Sequence, residues 1–317
     1  MIIILAVFES TITPMLMMFT CIVIGYILNK LKLLPENADS SLAKLETYVL
    51  VPSLNIYTFM SYCRVESLSS HRTFIAVAVV FISVAVAIAY PLSRIFSKET
   101  YQRNIYKYAL TFGNFGFLGN AIVPIILGEE FLYTYMLFTL PISAVCYTWG
   151  LGVLIPKNEG KNNPIKNLLN PCIISIIIGA ALGLSGAYTY VPNFLKLTLS
   201  NLMSCMGPVA MVLLGFVAAK YNISNLIKRP KVYLATLFRL ILLPMVFLFA
   251  LYLLKVDSLI IKMCLFAFAT PLGLNTVVFP SAYGQDASTG ASMALISHTL
   301  CVITIPLLFS LVTYFCG

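Results

Sequence analysis

"TFGNFGFLGN", Thr111 to Asn120, interrupts a run that otherwise has the composition of a membrane-spanning helix. Glycine weakens a helix interior by about 1 kcal/mol relative to alanine, and an amide left unpaired in hydrocarbon costs roughly 2–7 kcal/mol. The glycines and asparagines crowded here therefore need a structural reason, and two are open. Gly113, Gly116 and Gly119 recur at three-residue spacing, roughly one helical face, as small residues do where helices pack closely. Alternatively the helix breaks, which is tolerated at membrane depth only where protein buries the irregular backbone or a water-filled cavity meets it.

The chain around this stretch has 317 residues, 60% hydrophobic and 10% charged, with a mean hydropathy of +0.94. That balance excludes a soluble globular domain and indicates an all-α integral membrane protein. The opening "MIIILAVFES" has no basic stretch before it and meets Glu9 early, so it reads as the lead into a first span rather than a cleaved signal. A net charge of +9 raises nucleic acid as a partner, but the basic residues sit in short loops between apolar segments, which argues against it. The cysteines are scattered without a CxxC, and only His71 and His298 stand ready to join them. They read as small packing residues, with no metal site.

Cutting at charges and turn residues predicts ten spans, at about 8–31, 40–62, 72–95, 104–128, 131–155, 170–188, 192–219, 231–254, 258–283 and 288–315. Only Arg64, Arg72, Lys196, Lys255 and Lys262 fall on the side that carries the termini, and Arg239 lies within a span. The remaining basic residues of the 20 fall on the opposite side. That bias makes the opposite side cytoplasmic and puts both termini outside. The stretch "PKNEGKNNPIKN" then lies in a cytoplasmic hinge, 156–169, between a first five-helix repeat, 1–155, and a second, 170–317.

With five spans each, the second half enters the membrane inverted, and landmarks recur at a similar offset. Pro52 is followed by Pro208 after 156 residues, Asn114 by Pro271 and Asn275 after 157 and 161, and Pro141 by Pro306 after 165. This suits an inverted repeat, and interrupted helices in matching places of two halves point to a transporter's substrate site. "ATPLGLNTVVFP" in span nine is the counterpart of the opening stretch in span four. The asparagines, Pro271 and this second copy favour broken helices over simple close packing. The reading is that spans four and nine unwind near the midplane and cross, their half-helix N-termini offering free N–H groups and partial positive charge to an anion.

Asn114 and Asn275 lead the candidate residues, with Asn120, Thr270 and Thr276 behind them, because an amide either binds a carboxylate oxygen or satisfies a broken helix's loose backbone groups. Asn55, just after Pro52, is expected on the pathway. Neither crossover carries an acidic residue, which favours an anionic cargo. His298 either titrates and couples transport to protons or packs as a hydrogen-bonded side chain. Arg239 lies about 12 Å deeper than Lys231 along a helix and either snorkels back to the surface or pairs with a carboxylate of the protein or of the substrate. Sodium coupling stays open as well, since unwound carbonyls with Asn and Thr oxygens hold Na⁺ without a carboxylate.

At these residues the chain resembles the auxin efflux carrier family of bacteria, fungi and plants, over nearly its full length. The family's first-crossover pattern, close to N-x-G-F-x-G-x-P, appears as Asn114, Gly116, Phe117 and Gly119, with Ala121 at the proline place and Pro124 three residues on. Pro271, Asn275 and the trailing "YGQD" match the second crossover; "YVLVPSLNIYTF" fits span two, and Ser297, Thr299 and Pro306 match the ending of span ten. The resemblance implies the fold of bile-acid sodium symporters and sodium/proton antiporters, and an elevator-type motion. A scaffold of spans 1, 2, 6 and 7 would mediate homodimer contact, and a transport domain of spans 3–5 and 8–10 would move. It also implies small organic anions as substrates (indole-3-acetate, malate or malonate) and residence in a bacterial inner membrane.

Other functions have less support. "GLSG", Gly183 to Gly186, matches the GxSG of rhomboid proteases, yet Ser185 sits near a span end and the small-residue helix contact of that family is missing around His298. HExxH and P-loop patterns are absent, so no enzyme activity is expected. An ion or solute channel would need a continuous polar lining, whereas polarity is concentrated in the two crossovers. A transporter-like sensor would carry a signalling domain.

Overall fold

The computed structural model describes residues 2–154, 171–282 and 285–316, and among these every regular element is helical. In chain order they are α1 (Ile2–Lys30), α2 (38–62), α3 (Arg72–Phe96), α4 (Thr100–Thr111), α5 (Phe115–Leu127), α6 (Glu129–Leu154), α7 (Pro171–Leu184), α8 (Asn193–Ala219), α9 (Pro230–Leu253), α10 (Ser258–Phe268), α11 (Asn275–Ala282) and α12 (Ser288–Cys316). The expected hinge, 156–169, and the first two residues of "YGQD" lie outside the described residues.

Six helices, α1, α3, α6, α8, α9 and α12, are long and apolar enough to cross a membrane. The other expected spans depart from a single long rod for local reasons. The fourth and ninth are each split, into α4 with α5 and α10 with α11. The sixth is cut to the 14 residues of α7, about 21 Å of helix, because Gly186 adopts φ 70° and stops it. The second, α2, opens on the polar text "ADSSLAK" before its apolar part begins.

Four helices contain one wide π-helical turn: Glu46–Leu50 in α2, Phe115–Gly119 at the start of α5, Cys146–Gly150 in α6 and Phe238–Leu242 in α9. Such turns are rare and cluster at functional sites. Two of the four, in α5 and α6, border the cavity described below, and the one in α9 holds Arg239 behind it.

Backbone touches backbone at three helix pairs, one of them α11 with α12, where a Cβ on Gly290 would stand 2.2 Å from Thr276 O. A Cβ on Gly215 of α8 would stand 1.8 Å from Ile22 O on α1, and one on Gly183 of α7 would stand 2.5 Å from Phe59 O on α2. Helices in lipid gain little from hydrophobic burial, so seams of this kind, rich in van der Waals contact, hold them together. Large apolar side chains such as Val80 and Val84 on α3, or Val246, Phe249 and Leu253 on α9, are exposed and face outward, as a lipid-facing surface requires. The interior lies where α4, α5, α10 and α11 meet α6 and α12, around the fully buried Tyr108, Phe112, Tyr135, Phe266 and Phe268.

Candidate functional site

α4 stops because Phe112 turns extended, φ −112° and ψ 126°, and Gly113 follows it without a side chain. Asn114, at φ −82° and ψ 44°, then starts α5. α10 ends at Phe268; Thr270 Oγ1 donates to Ala267 O at 3.2 Å, and Pro271 has no N–H with which to continue the helix. The loose backbone of one break satisfies the other. Gly113 and Leu272 form an antiparallel bridge, and Asn114 N donates to Pro271 O at 2.6 Å. Ser297 on α12 accepts from Leu272 N at 3.0 Å, and Thr276 Oγ1 donates to Gly273 O at 2.9 Å. Burial of irregular backbone at this depth is thus accompanied by partners for it, as low polarity demands.

The two leading asparagines reach across. Asn114 Nδ2 lies 2.9 Å from His298 Nε2, and His298 Nδ1 lies 2.7 Å from Ala294 O. The carbonyl only accepts, so Nδ1 carries the ring proton and Nε2 accepts from the amide. Asn275 Nδ2 donates to the Tyr108 hydroxyl at 2.8 Å and lies 3.9 Å from Cys146 Sγ. Asn55 Nδ2 donates to Ser175 Oγ at 2.9 Å and to Cys172 O at 3.0 Å, tying α2 to α7.

A cavity of about 70 Å³ sits against the first break, room for several waters or a small solute on the scale of about 10–15 Å³ per water. Its lining brings together Asn55, Asn114, Gly116, Asn120 and Asn275 with Thr139, Ser143, Cys146 and Tyr147, and none of the lining side chains is charged. Phe115, Gly116 and Phe117, the first turn of α5, line it too; amides of a first turn have no partner within their helix. A Cβ on Gly116 would meet nothing within 4 Å. Asn120 Oδ1 is buried without a partner among the described residues, so it is one oxygen open to a cation.

The other expected residues lie around the cavity rather than on it. Thr270, Pro271, Thr276 and Ser297 are buried in the second break or against it. Gly119 packs against Tyr135, whose hydroxyl lies 3.0 Å from Phe115 O and 3.1 Å from Phe266 O. His298 stands behind Asn114. Thr299 is exposed and bonds only its own helix, Oγ1 to Leu295 O at 2.9 Å. Arg239 does not snorkel, and among the described residues it pairs with no carboxylate: it is 1% exposed, and its Nη2 lies 3.4 Å from Ala267 O. Ser185 of "GLSG" bonds its own helix end, Oγ to Leu182 O at 3.3 Å.

Sequence reading missed Tyr108, Tyr135 and Tyr147 and took Cys146 for packing alone, since nothing in their spacing marks them. Glu46 is different. It is 1% exposed, with neither carboxyl oxygen bonded among the described residues. An acid inside an apolar run is a signal in itself, but Lys44 two residues earlier makes it read as a loop end.

A family model described as membrane transport protein matches residues 10–167 and 161–309. No curated protein matches the chain.

Proposed function

We propose a carrier of small organic anions, from the premise that the chain belongs to the membrane transport protein family, that of the auxin efflux carriers. Membership makes it an integral membrane transporter, surrounded by lipid and acting on a small molecule. Beyond that, one observation carries the reading: two helix breaks paired through Gly113, Asn114, Pro271 and Leu272, beside a neutral polar cavity onto which the first turn of α5 opens. A carboxylate at that turn meets unpaired N–H groups and the positive end of a helix, with Asn114, Asn120, Asn275 and Asn55 as further contacts and no acid to repel it.

The proposed architecture is ten spans in a 5+5 inverted repeat, with α4–α5 and α10–α11 as crossovers. Three facts support it. The two matched blocks meet at 161–167, inside the expected hinge. Two of the glycine seams join α1 with α8 and α2 with α7, the first span with the seventh and the second with the sixth; an inverted repeat turns one of those pairs into the other. Each leading asparagine also bonds a residue of the opposite half. We read α1, α2, α7 and α8 as the scaffold, and as the homodimer contact. α3–α6 and α9–α12 form the domain that moves in an elevator cycle. The small volume of the neutral polar cavity at the crossing favours a carrier over a channel, the alternative reading. Both termini lie outside a bacterial inner membrane in this scheme, and H⁺ or Na⁺ is the coupling ion. No enzymatic role is proposed.

The test is uptake into proteoliposomes of labelled malate, malonate, succinate and indole-3-acetate, with imposed Na⁺, H⁺ and voltage gradients applied separately. Saturable uptake of at least one acid is expected. Failure of all four under every gradient would remove the anion reading.

A further inference from the structure

Among the described residues two charged side chains are buried, Glu46 on α2 and Arg239 on α9, and Arg239 lies against both chain breaks. Its Nη2 is 3.4 Å from Ala267 O in the last turn of α10, and 2.7 Å from the place where a Cβ on Gly113 would stand. Its Nε and Nη1 have no partner among the described residues, and its guanidinium carbon stands 5.6 Å over the Phe268 ring. Among the described residues the titratable side chains that face it are Cys264 on α10 and Tyr135 on α6, and no carboxylate does. The absence of a side chain at Gly113 is what admits the guanidinium to this place, directly behind a residue that lines the cavity.

A cation held in a protein interior without a counter-ion needs negative potential from another source. Here that source is the backbone. α4 and α10 both end at the crossing, and a helix C-terminus carries partial negative charge, while α5 and α11 begin there with partial positive charge. Taken alone, such a crossing has no preferred sign: it offers an anion two helix starts and a cation two helix ends.

We propose that Arg239 sets the sign of the transported solute. It neutralises the C-terminal ends of α4 and α10 and leaves the crossing with the field of the α5 and α11 starts, so that a carboxylate is held and a cation is not. The inference rests on the carboxylate reading above. Arg239 does not line the cavity; it is a positioning residue that acts through the field across Gly113.

The test compares wild type, Arg239→Gln and Arg239→Lys in proteoliposomes, each first shown to be folded by size exclusion. Two probe pairs are used, malonate against malonamide and indole-3-acetate against indole-3-acetamide, which share shape and differ in charge. Binding is read independently from the single tryptophan, Trp149, whose ring lies 5.9 Å from Phe112 at the first break. In Arg239→Gln the half-saturating concentration of the acid should rise at least tenfold, that of the amide should stay within about twofold, and Na⁺ should begin to compete with the acid. Arg239→Lys should stay within about threefold of wild type near neutral pH and lose acid affinity in the alkaline range, where a buried lysine discharges and an arginine does not. Should Arg239→Gln fail to fold, the alkaline loss in Arg239→Lys alone decides. Equal shifts for acid and amide, or identical pH profiles for Arg239→Lys and wild type, would overturn the inference. If wild type itself carries none of the acids, the carboxylate reading fails instead, and the two failures are distinguishable.

Discussion

The first break, Phe112 to Asn114, and the second, Ala269 to Leu274, meet face to face but are built from different chemistry. The second is long, carries a proline and satisfies itself locally: Thr270 and Thr276 bond carbonyls a turn away, and Ser297 holds Leu272 N. Its residues are buried, as are Phe112 to Asn114 of the first, and Gly273 and Leu274 line the cavity. The first is short and has no proline. It depends on what the other half lends it, Pro271 O for the Asn114 amide and His298 for its side chain, and its far side opens on the cavity. One break is a fixed support; the other is draped over it and exposes its helix start. The difference between them is one of support, and both border the cavity.

The sharpest way to break that contrast is at two glycines three residues apart. A Cβ on Gly113 would stand 2.4 Å from Thr270 Oγ1 and 2.8 Å from Thr270 O, whereas one on Gly116 would touch nothing. Gly113→Val should therefore cost several kcal/mol, in the range of about 1–3 kcal/mol or more for overpacking, and leave little folded protein on size exclusion. Gly116→Val should keep its melting temperature and lose uptake, because it fills the cavity. Equal stability of the two variants would contradict the assignment of a tight and an open side.

Asn114→Ala and Asn275→Ala come next. Each should abolish saturable uptake while still running as folded protein. Asn114→Ala should also lower stability by about 1–3 kcal/mol, because His298 Nε2 is left unpaired, and Asn275→Ala by less, because the Tyr108 hydroxyl keeps Cys146 Sγ at 3.0 Å; denaturation followed by Trp149 fluorescence measures both. If only one abolishes uptake, the two breaks share the solute less evenly than proposed. A smaller effect is expected at His298. A proton arriving on Nε2 would face an amide N–H₂, so the Asn114 amide would have to turn over to offer its oxygen. His298→Gln keeps an oxygen that accepts from the amide as it now stands, so it should lower uptake less than Asn114→Ala does, and an equal loss would contradict that order. Thr299→Val, on the outward face, should change stability by less than about 0.5 kcal/mol and leave uptake as it was.

What could be read in the chain was local. Glycine, proline and asparagine mark places where a helix fails, whatever surrounds them, so both breaks stood out in "TFGNFGFLGN" and "ATPLGLNTVVFP". The residues that meet there did not, because partners such as Tyr108 and Asn275, or Asn55 and Ser175, are more than a hundred residues apart and lie on helices whose rotation periodicity alone does not fix. Arg239 shows the limit most plainly. Its depth was visible, but the snorkelling reading assumed that it needed water, and a guanidinium between two helix ends was not foreseen.

The contact of α8 with α1 carries a mechanical consequence. At Gly215 two main chains touch with no side chains between them to reshuffle. A slip of one turn would bring Met211 or Ala219 against the Ile22 carbonyl, where even a methyl group is too large. That joint is welded, and whatever travels during a transport cycle must glide along another surface.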